Sequence, residues 1–255
     1  MVASKLGIKV AHVEAGLRSF DRTMPEEINR VLTDAVADLL LTPSEDADAN
    51  LQREGIPDSK IRQVGNIMID SLVQNLARAR GSAILSELEL EPQQFAYVTL
   101  HRPSNVDDRE TLAAIMAELQ RLGQQLPVVF ALHPRTRKML GQFGLGANGS
   151  QGVRAVGPMG YHDSLCLGEN ARLVLTDSGG LQEETTYFRT PCLTLRSTTE
   201  RPLTVTMGSN RLTSIERLST DIDKVLARPS RFGQVPPLWD GRTAGRTLEA
   251  LRELA

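Results

Sequence analysis

The chain has 255 residues, 40% hydrophobic and 24% charged, and its 29 Lys plus Arg against 31 Asp plus Glu leave a formal net charge of −2. That length suits one or two domains, and near-neutral charge removes the electrostatic reason to expect nucleic acid or an anionic membrane as partner. No apolar run nears the ~20 residues of a membrane span, no basic segment leads into an apolar core near Met1, and two cysteines (Cys166 and Cys192) make no disulfide framework or Cys-rich metal site. The expectation is a globular cytoplasmic protein.

In chain order, residues 9–13 read as a strand and residues 26–41 as a helix running into a short strand. Ser44 then caps a helix that Gly55 ends, and residues 61–64 form a third strand. So small a sheet leaves strand edges unpaired, so residues 1–75 are expected to be the back half of a domain whose front half lies outside this sequence. From residue 95 the alternation becomes regular. Residues 95–100 read as a buried strand, and Leu112, Ile115, Met116, Leu119 and Leu122 recur at helical spacing over 110–122. Strands follow at 128–132, 153–156, 172–176 and 192–195, with helices from about Thr136 and over 180–188. Strand–helix repetition of this kind predicts an α/β fold with a parallel sheet covered on both faces, a doubly wound domain between about 85 and 230. A last helix over 243–254, with Leu248, Leu251 and Leu254 on one face, is expected to pack across the first domain.

The strongest local signal runs from Thr176 to Glu184, Thr-Asp-Ser-Gly-Gly-Leu-Gln-Glu-Glu, where a buried strand ends in a glycine pair and a helix opens. Gly179 and Gly180 let backbone N–H groups approach an anion, the helix end adds unpaired donors and partial positive charge, and Ser178 adds a hydroxyl. A diphosphate suits that place; the bland alternative is an ordinary turn with Ser178 as cap. Glu184, one turn inside, suits sugar hydroxyls or is a solvated first-turn carboxylate. Two further carboxylates, Glu14 in His-Val-Glu-Ala-Gly-Leu-Arg and Glu26 in Pro-Glu-Glu-Ile-Asn-Arg, sit near element ends, where a pair can divide acid and base roles. Against that, Thr23-Met24-Pro25-Glu26 spells a capping box. His101-Arg102 and His133-Pro134-Arg135 close two successive strands, a placement that suits phosphate oxygens. His12 lies within a strand and reads as a core or hinge residue, while His162 reads as a helix cap. No spacing of His, Cys, Asp or Glu suggests a metal, and no GxSxG or GxGxxG run occurs.

Together with Val64-Gly65-Asn66 and Thr199-Glu200-Arg201-Pro202, these segments resemble, in order and spacing, the non-hydrolysing UDP-N-acetylglucosamine 2-epimerases over essentially the whole chain. The resemblance implies two Rossmann-like domains of the glycosyltransferase-B type, divided as 1–75, 76–230 and a C-terminal segment 231–255. It implies interconversion of UDP-N-acetylglucosamine and UDP-N-acetylmannosamine by elimination and re-addition of UDP, without cofactor or metal, in a homodimer supplying surface polysaccharide precursors. Carried over by position, Glu14, Glu26 and His101 match catalytic residues. Ser178, Gly179, Gly180, Glu184 and Arg201 match substrate contacts. Arg102 and His133 fall where some bacterial members bind a second, activating UDP-N-acetylglucosamine. Here the common run His-Arg-Arg-Glu-Asn is His101-Arg102-Pro103-Ser104-Asn105, and Ser164 stands near a position where the family often has Phe. The family's upstream Gly-Thr-Arg-Pro-Glu motif and a further catalytic aspartate are not among these residues. A UDP-binding fragment without turnover, or a hydrolysing relative releasing N-acetylmannosamine, are the alternative readings.

Overall fold

The computed structural model describes residues 1–146, 152–229 and 231–254. The chain forms two compact units, one gathering Met1–Gln74, Thr198–Thr206 and Val235–Ala255, the other Asn75–Ser197 and Met207–Gln234.

The first unit is built on a parallel sheet of β1 (Ala11–Val13), β2 (Leu39–Thr42) and β3 (Ile61–Gln63), in that order. All four residues of β2 are buried because successive side chains serve opposite faces. Leu40 packs with Ala15, Ala37, Leu51 and Ile61, whereas Leu39 and Leu41 pack with Val64 and Ala250. The helix Thr243–Leu254 therefore lies on this sheet, but through Ala250, Leu251 and Leu254; Leu248, expected on the packing face, is 58% exposed.

Among the described residues the second unit holds six parallel strands: β4 (Ala96–Leu100), β5 (Val128–Leu132), β6 (Val153–Val156), β7 (Leu173–Thr176), β8 (Cys192–Leu195) and β9 (Asn210–Thr213). Their spatial order is β6-β5-β4-β7-β8-β9. Residues alternate strictly between two cores: Val98, Phe130, Leu175 and Leu193 belong to one, and Tyr97, Val129, Val174 and Cys192 to the other. Each fully buried aliphatic or aromatic side chain contributes roughly 1.5–3 kcal/mol, which is why runs this short hold a sheet. The α/β class with parallel sheets agrees with the sequence expectation. The sequence places no strand at β9, which has one large apolar residue, Leu212, and among the described residues pairs with β8 alone, at the sheet edge. The helices Ile67–Arg80 and Ile215–Leu226 are likewise additions; the latter buries Leu218, Ile222 and Val225 along one stripe. Among the described residues no helix is long and apolar enough to cross a membrane.

Candidate active site

In the second unit the chain winds outward in one direction from β4 and in the other from β7, so the sheet's switch point lies between these neighbours. Ligands of open parallel sheets collect beyond the carboxyl ends of the strands at such a point. The loops there carry His101 and Arg102 after β4, and Asp177 to Gly180 after β7.

Ser178 precedes the helix Gly179–Phe188 with extended backbone (φ −79°, ψ 135°), and its side chain makes no capping hydrogen bond. The capping role open to it in the sequence is not taken up. Its amide instead donates to Thr176 Oγ1 (3.0 Å), and Gln182 Nε2 donates to its carbonyl (3.1 Å), fixing the turn. A Cβ on Gly180 would meet only Ser178 Oγ, at 3.9 Å. The protein leaves room for a side chain there, so its own packing does not require glycine at position 180. Glu184 is half-buried, and burial together with the neighbouring Glu183 pushes its carboxyl up to about 7. Burial also raises the phenols of Tyr97 and Tyr161 to about 12, and the Glu184 charge adds to both. The Tyr97 hydroxyl lies 3.0 Å from Ser164 Oγ.

The Asp177 carboxylate, fully buried, binds the two switch-point loops together. It accepts from the His101 amide (3.0 Å), the Arg102 amide (2.8 Å) and Asn105 Nδ2 (2.9 Å), and His101 Nδ1 lies 2.9 Å from Oδ1. Burial alone would raise this carboxyl; the donors outweigh it and hold the group below the ordinary aspartate value. Arg102 Nε donates to the Asp177 carbonyl (3.0 Å). His133 stands with its ring centroid 5.4 Å from that of His101, and its side chain accepts from the Arg135 amide (3.2 Å), capping the helix Pro134–Phe143. His101, Arg102 and His133 thus cluster at one sheet end. His162 is not a cap: Gly160 takes that position, and His162 Nε2 pairs with Asn75 Oδ1 (2.8 Å).

The first unit carries Glu14, Glu26 and Arg201. Glu14 follows β1 directly, in the left-handed region at φ 64°, with Oε1 buried and without a hydrogen-bond partner among the described residues. A non-glycine residue held this way stores about 1–3 kcal/mol, a feature that clusters at functional sites. The turn after it is gripped by Asp34, whose carboxylate accepts from the Gly16 amide (3.1 Å) and pairs with His12 Nδ1 (2.5 Å) and Arg18 Nη2 (2.7 Å). His12 is therefore a partner of Asp34 rather than a plain core residue. Arg18 also forks onto Glu54 with two 2.7 Å hydrogen bonds. Burial opposes ionisation of Asp34, yet hydrogen bonds from His12 and Arg18 hold its carboxyl below the usual range.

Glu26 is exposed at the start of the helix Pro25–Val36. The capping box does not form: Thr23 turns to Asp21 through its amide (3.0 Å) and hydroxyl (2.6 Å), and no side chain caps the helix. Pro25 at the first helical position sets the start instead. Glu27, beside it, is buried and accepts from the Ser19 and Phe20 amides (3.0 and 2.8 Å) and Arg30 (2.8 Å). The segment between the two candidate glutamates is thereby pinned to the helix by Asp34 and by Glu27. Arg201 donates to Glu200, whose carboxylate lies 4.0 Å from Arg30. Asp34, Glu27 and Asp177 receive no role in the sequence reading, although a carboxylate one residue beyond a buried strand, as Asp177 is, is a usable signal. No group of three or more metal-type ligands occurs among the described residues.

A family model described as UDP-N-acetylglucosamine 2-epimerase matches residues 1–252. A Methanocaldococcus jannaschii protein named UDP-N-acetylglucosamine 2-epimerase is 42% identical over 261 residues, covering 98% of this chain and 70% of that protein. The Pseudomonas aeruginosa UDP-2,3-diacetamido-2,3-dideoxy-D-glucuronate 2-epimerase is 42% identical over 221 residues, covering 85% of this chain and 60% of that one. The crystal structure of the M. jannaschii enzyme in complex with UDP-GlcNAc and UDP superposes with a TM-score of 0.88 at 41% identity, covering 99% of this chain and 71% of that chain.

Proposed function

The chain belongs to the UDP-N-acetylglucosamine 2-epimerase family, and from that premise we propose how its residues divide the work of an isomerase that interconverts UDP-N-acetylglucosamine and UDP-N-acetylmannosamine. The observation that carries this reading is the turn from Thr176 to Leu181 at the switch point of a parallel sheet, in a chain that superposes on a relative crystallised with UDP-GlcNAc and UDP.

The proton at the sugar C2 is not adjacent to a carbonyl, so its direct removal is very unfavourable. Breaking the C1–O bond first, with the electron pair leaving on the diphosphate, builds positive charge on the ring and acidifies C2. The C2 proton then passes to a carboxylate, leaving a 2-acetamidoglucal and UDP; return of a proton to the opposite face and re-addition of UDP complete the inversion. The departing diphosphate rests on the Ser178 hydroxyl and the amides of Gly179 and Gly180, where each charge-assisted hydrogen bond contributes roughly 1.5–3 kcal/mol. His101 stands beside it, and Glu184 accepts from the ribose hydroxyls. Glu14 and Glu26 serve the C2 proton, Glu14 from a strained turn with a buried oxygen that has no hydrogen-bond partner among the described residues, and Arg201 adds positive charge on the sugar side. Arg102 and His133 are the candidates for a second, activating nucleotide sugar.

Incubation with UDP-N-acetylglucosamine in heavy water tests the reaction: deuterium at C2 together with UDP-N-acetylmannosamine supports it. Free N-acetylmannosamine would instead mark a hydrolysing enzyme, and UDP binding without turnover a binding protein. The 42% identity to the diacetamido-glucuronate epimerase favours offering that sugar nucleotide in the same assay. Ser178→Ala and Glu184→Ala, each expected to weaken UDP about tenfold or more, test the site; unchanged affinity would refute it. We place the enzyme in the cytoplasm as a homodimer feeding surface polysaccharide synthesis, the dimer being testable by analytical ultracentrifugation.

A further inference from the structure

Asp177 meets more donors than any turn requires. A carboxylate is acceptor-only, so the 2.9 Å contact with His101 obliges Nδ1 to carry the proton. His101 Nε2 is then the ring atom left to face a ligand, and the ring's exposure of 41% shows that it reaches solvent. The same carboxylate holds the His101 and Arg102 amides, and its own carbonyl holds Arg102 Nε (3.0 Å). Asn105, buried in the short helix Pro103–Val106, donates through Nδ2 to Asp177 Oδ2 (2.9 Å) and to the Leu195 carbonyl (3.1 Å). One buried side chain thus joins the ends of β4 and β7, and Asn105 extends the link to β8.

We propose that Asp177 is a positioning residue for the departing diphosphate: its carboxylate accepts from Nδ1–H and turns the His101 ring so that Nε2 faces the phosphate, balances the imidazolium formed in the complex, whose Nε2–H donates to a phosphate oxygen, and holds Arg102 beside the Ser178 turn. Asn105 supports it by meeting Oδ2. The arrangement parallels the aspartate of a catalytic triad, which sets tautomer and ring orientation without being protonated itself. The inference rests on the reading that the Ser178 turn receives the diphosphate.

The test uses the whole chain and two readouts. Nitrogen-15 NMR of the His101 ring is expected to show the Nδ1–H tautomer in the ligand-free wild type, protons on both ring nitrogens with UDP bound, and a shift of the ligand-free ring towards Nε2–H in Asp177→Asn, which has no carboxylate to balance the imidazolium of the complex. Calorimetry with UDP and with UMP is expected to show UDP weakened about tenfold and UMP by less than about threefold, because only UDP carries the terminal phosphate that Nε2 would meet. An unchanged tautomer, or equal weakening of both nucleotides, would overturn the proposal. Should Asp177→Asn fail to fold, Asn105→Ala removes one donor and is expected to move both readouts the same way, less far; an unmoved UDP-to-UMP ratio and tautomer there would overturn it equally. Failure of the underlying reading looks different: Ser178→Ala would leave UDP affinity unchanged while the tautomer shift persisted.

Discussion

Replacing Asp34 by Asn removes one of the two carboxylates facing the Arg18 guanidinium, whose side chain is 1% exposed. Deleting one partner of a buried ion pair usually costs about 3–5 kcal/mol. Here Glu54 keeps its two hydrogen bonds to Arg18, but its side chain is 35% exposed and so screened by water. The Gly16 amide and His12 Nδ1 also lose a charged acceptor. A loss of about 3 kcal/mol is therefore expected. With a urea slope of about 2 kcal/mol per molar, the midpoint should fall by about 1.5 M. The single tryptophan makes the assay specific, because Trp239 is buried and belongs to the first unit, so its fluorescence reports on the unit that holds Asp34. The pH dependence has a definite sign. The Asp34 carboxyl is held below its ordinary value, so its contribution is complete above that value and disappears as pH falls through the folded-state value. Wild type and variant should thus converge in acid. A midpoint shift below about 0.3 M near neutrality, with unchanged slope, would refute the energetic role given to the network.

Gly180→Ala should leave thermal stability within about 1 kcal/mol of wild type, since the added Cβ meets only Ser178 Oγ at 3.9 Å. Calorimetry should nonetheless show UDP weakened about tenfold or more as the methyl intrudes on the phosphate; equal affinity would place the diphosphate elsewhere. Glu184→Gln should stabilise the ligand-free protein at pH 8 by up to roughly 3 kcal/mol, because the wild-type carboxyl must ionise against a value raised to about 7. The cost exists above the raised value and fades as pH falls towards the ordinary carboxylate range. The difference in melting temperature between variant and wild type should therefore shrink from pH 8 to pH 5, and a difference independent of pH would contradict the assignment.

The parts of the site legible in the sequence are those whose cause is local. Strands β4, β5 and β7 announce themselves because burial on both faces demands nearly unbroken apolar runs, and the Ser178 turn is a strand, a glycine pair and a helix start within one short stretch. Strand β9 escapes because an edge strand can be mostly polar, and the packing face of the last helix is misread at Leu248 because Ala250 and Leu251 suffice to meet β2. The capping box at Thr23 fails for a local reason too: Asp21 competes for the same hydroxyl, and Pro25 already sets the helix start.

Periodicity and turn chemistry in the sequence determined that this chain makes parallel α/β sheets with a glycine-pair turn between a buried strand and a helix start. Which carboxylates are held ionised, and by which donors, was decided only by the tertiary structure. Asp177 collects donors from residues 72 to 76 positions earlier, and Asp34 from 16 to 22 positions earlier. Such convergence exists only once sheet order has brought β4 beside β7 and the turn after β1 onto its helix, because a buried charge depends on partners that no neighbouring residue supplies.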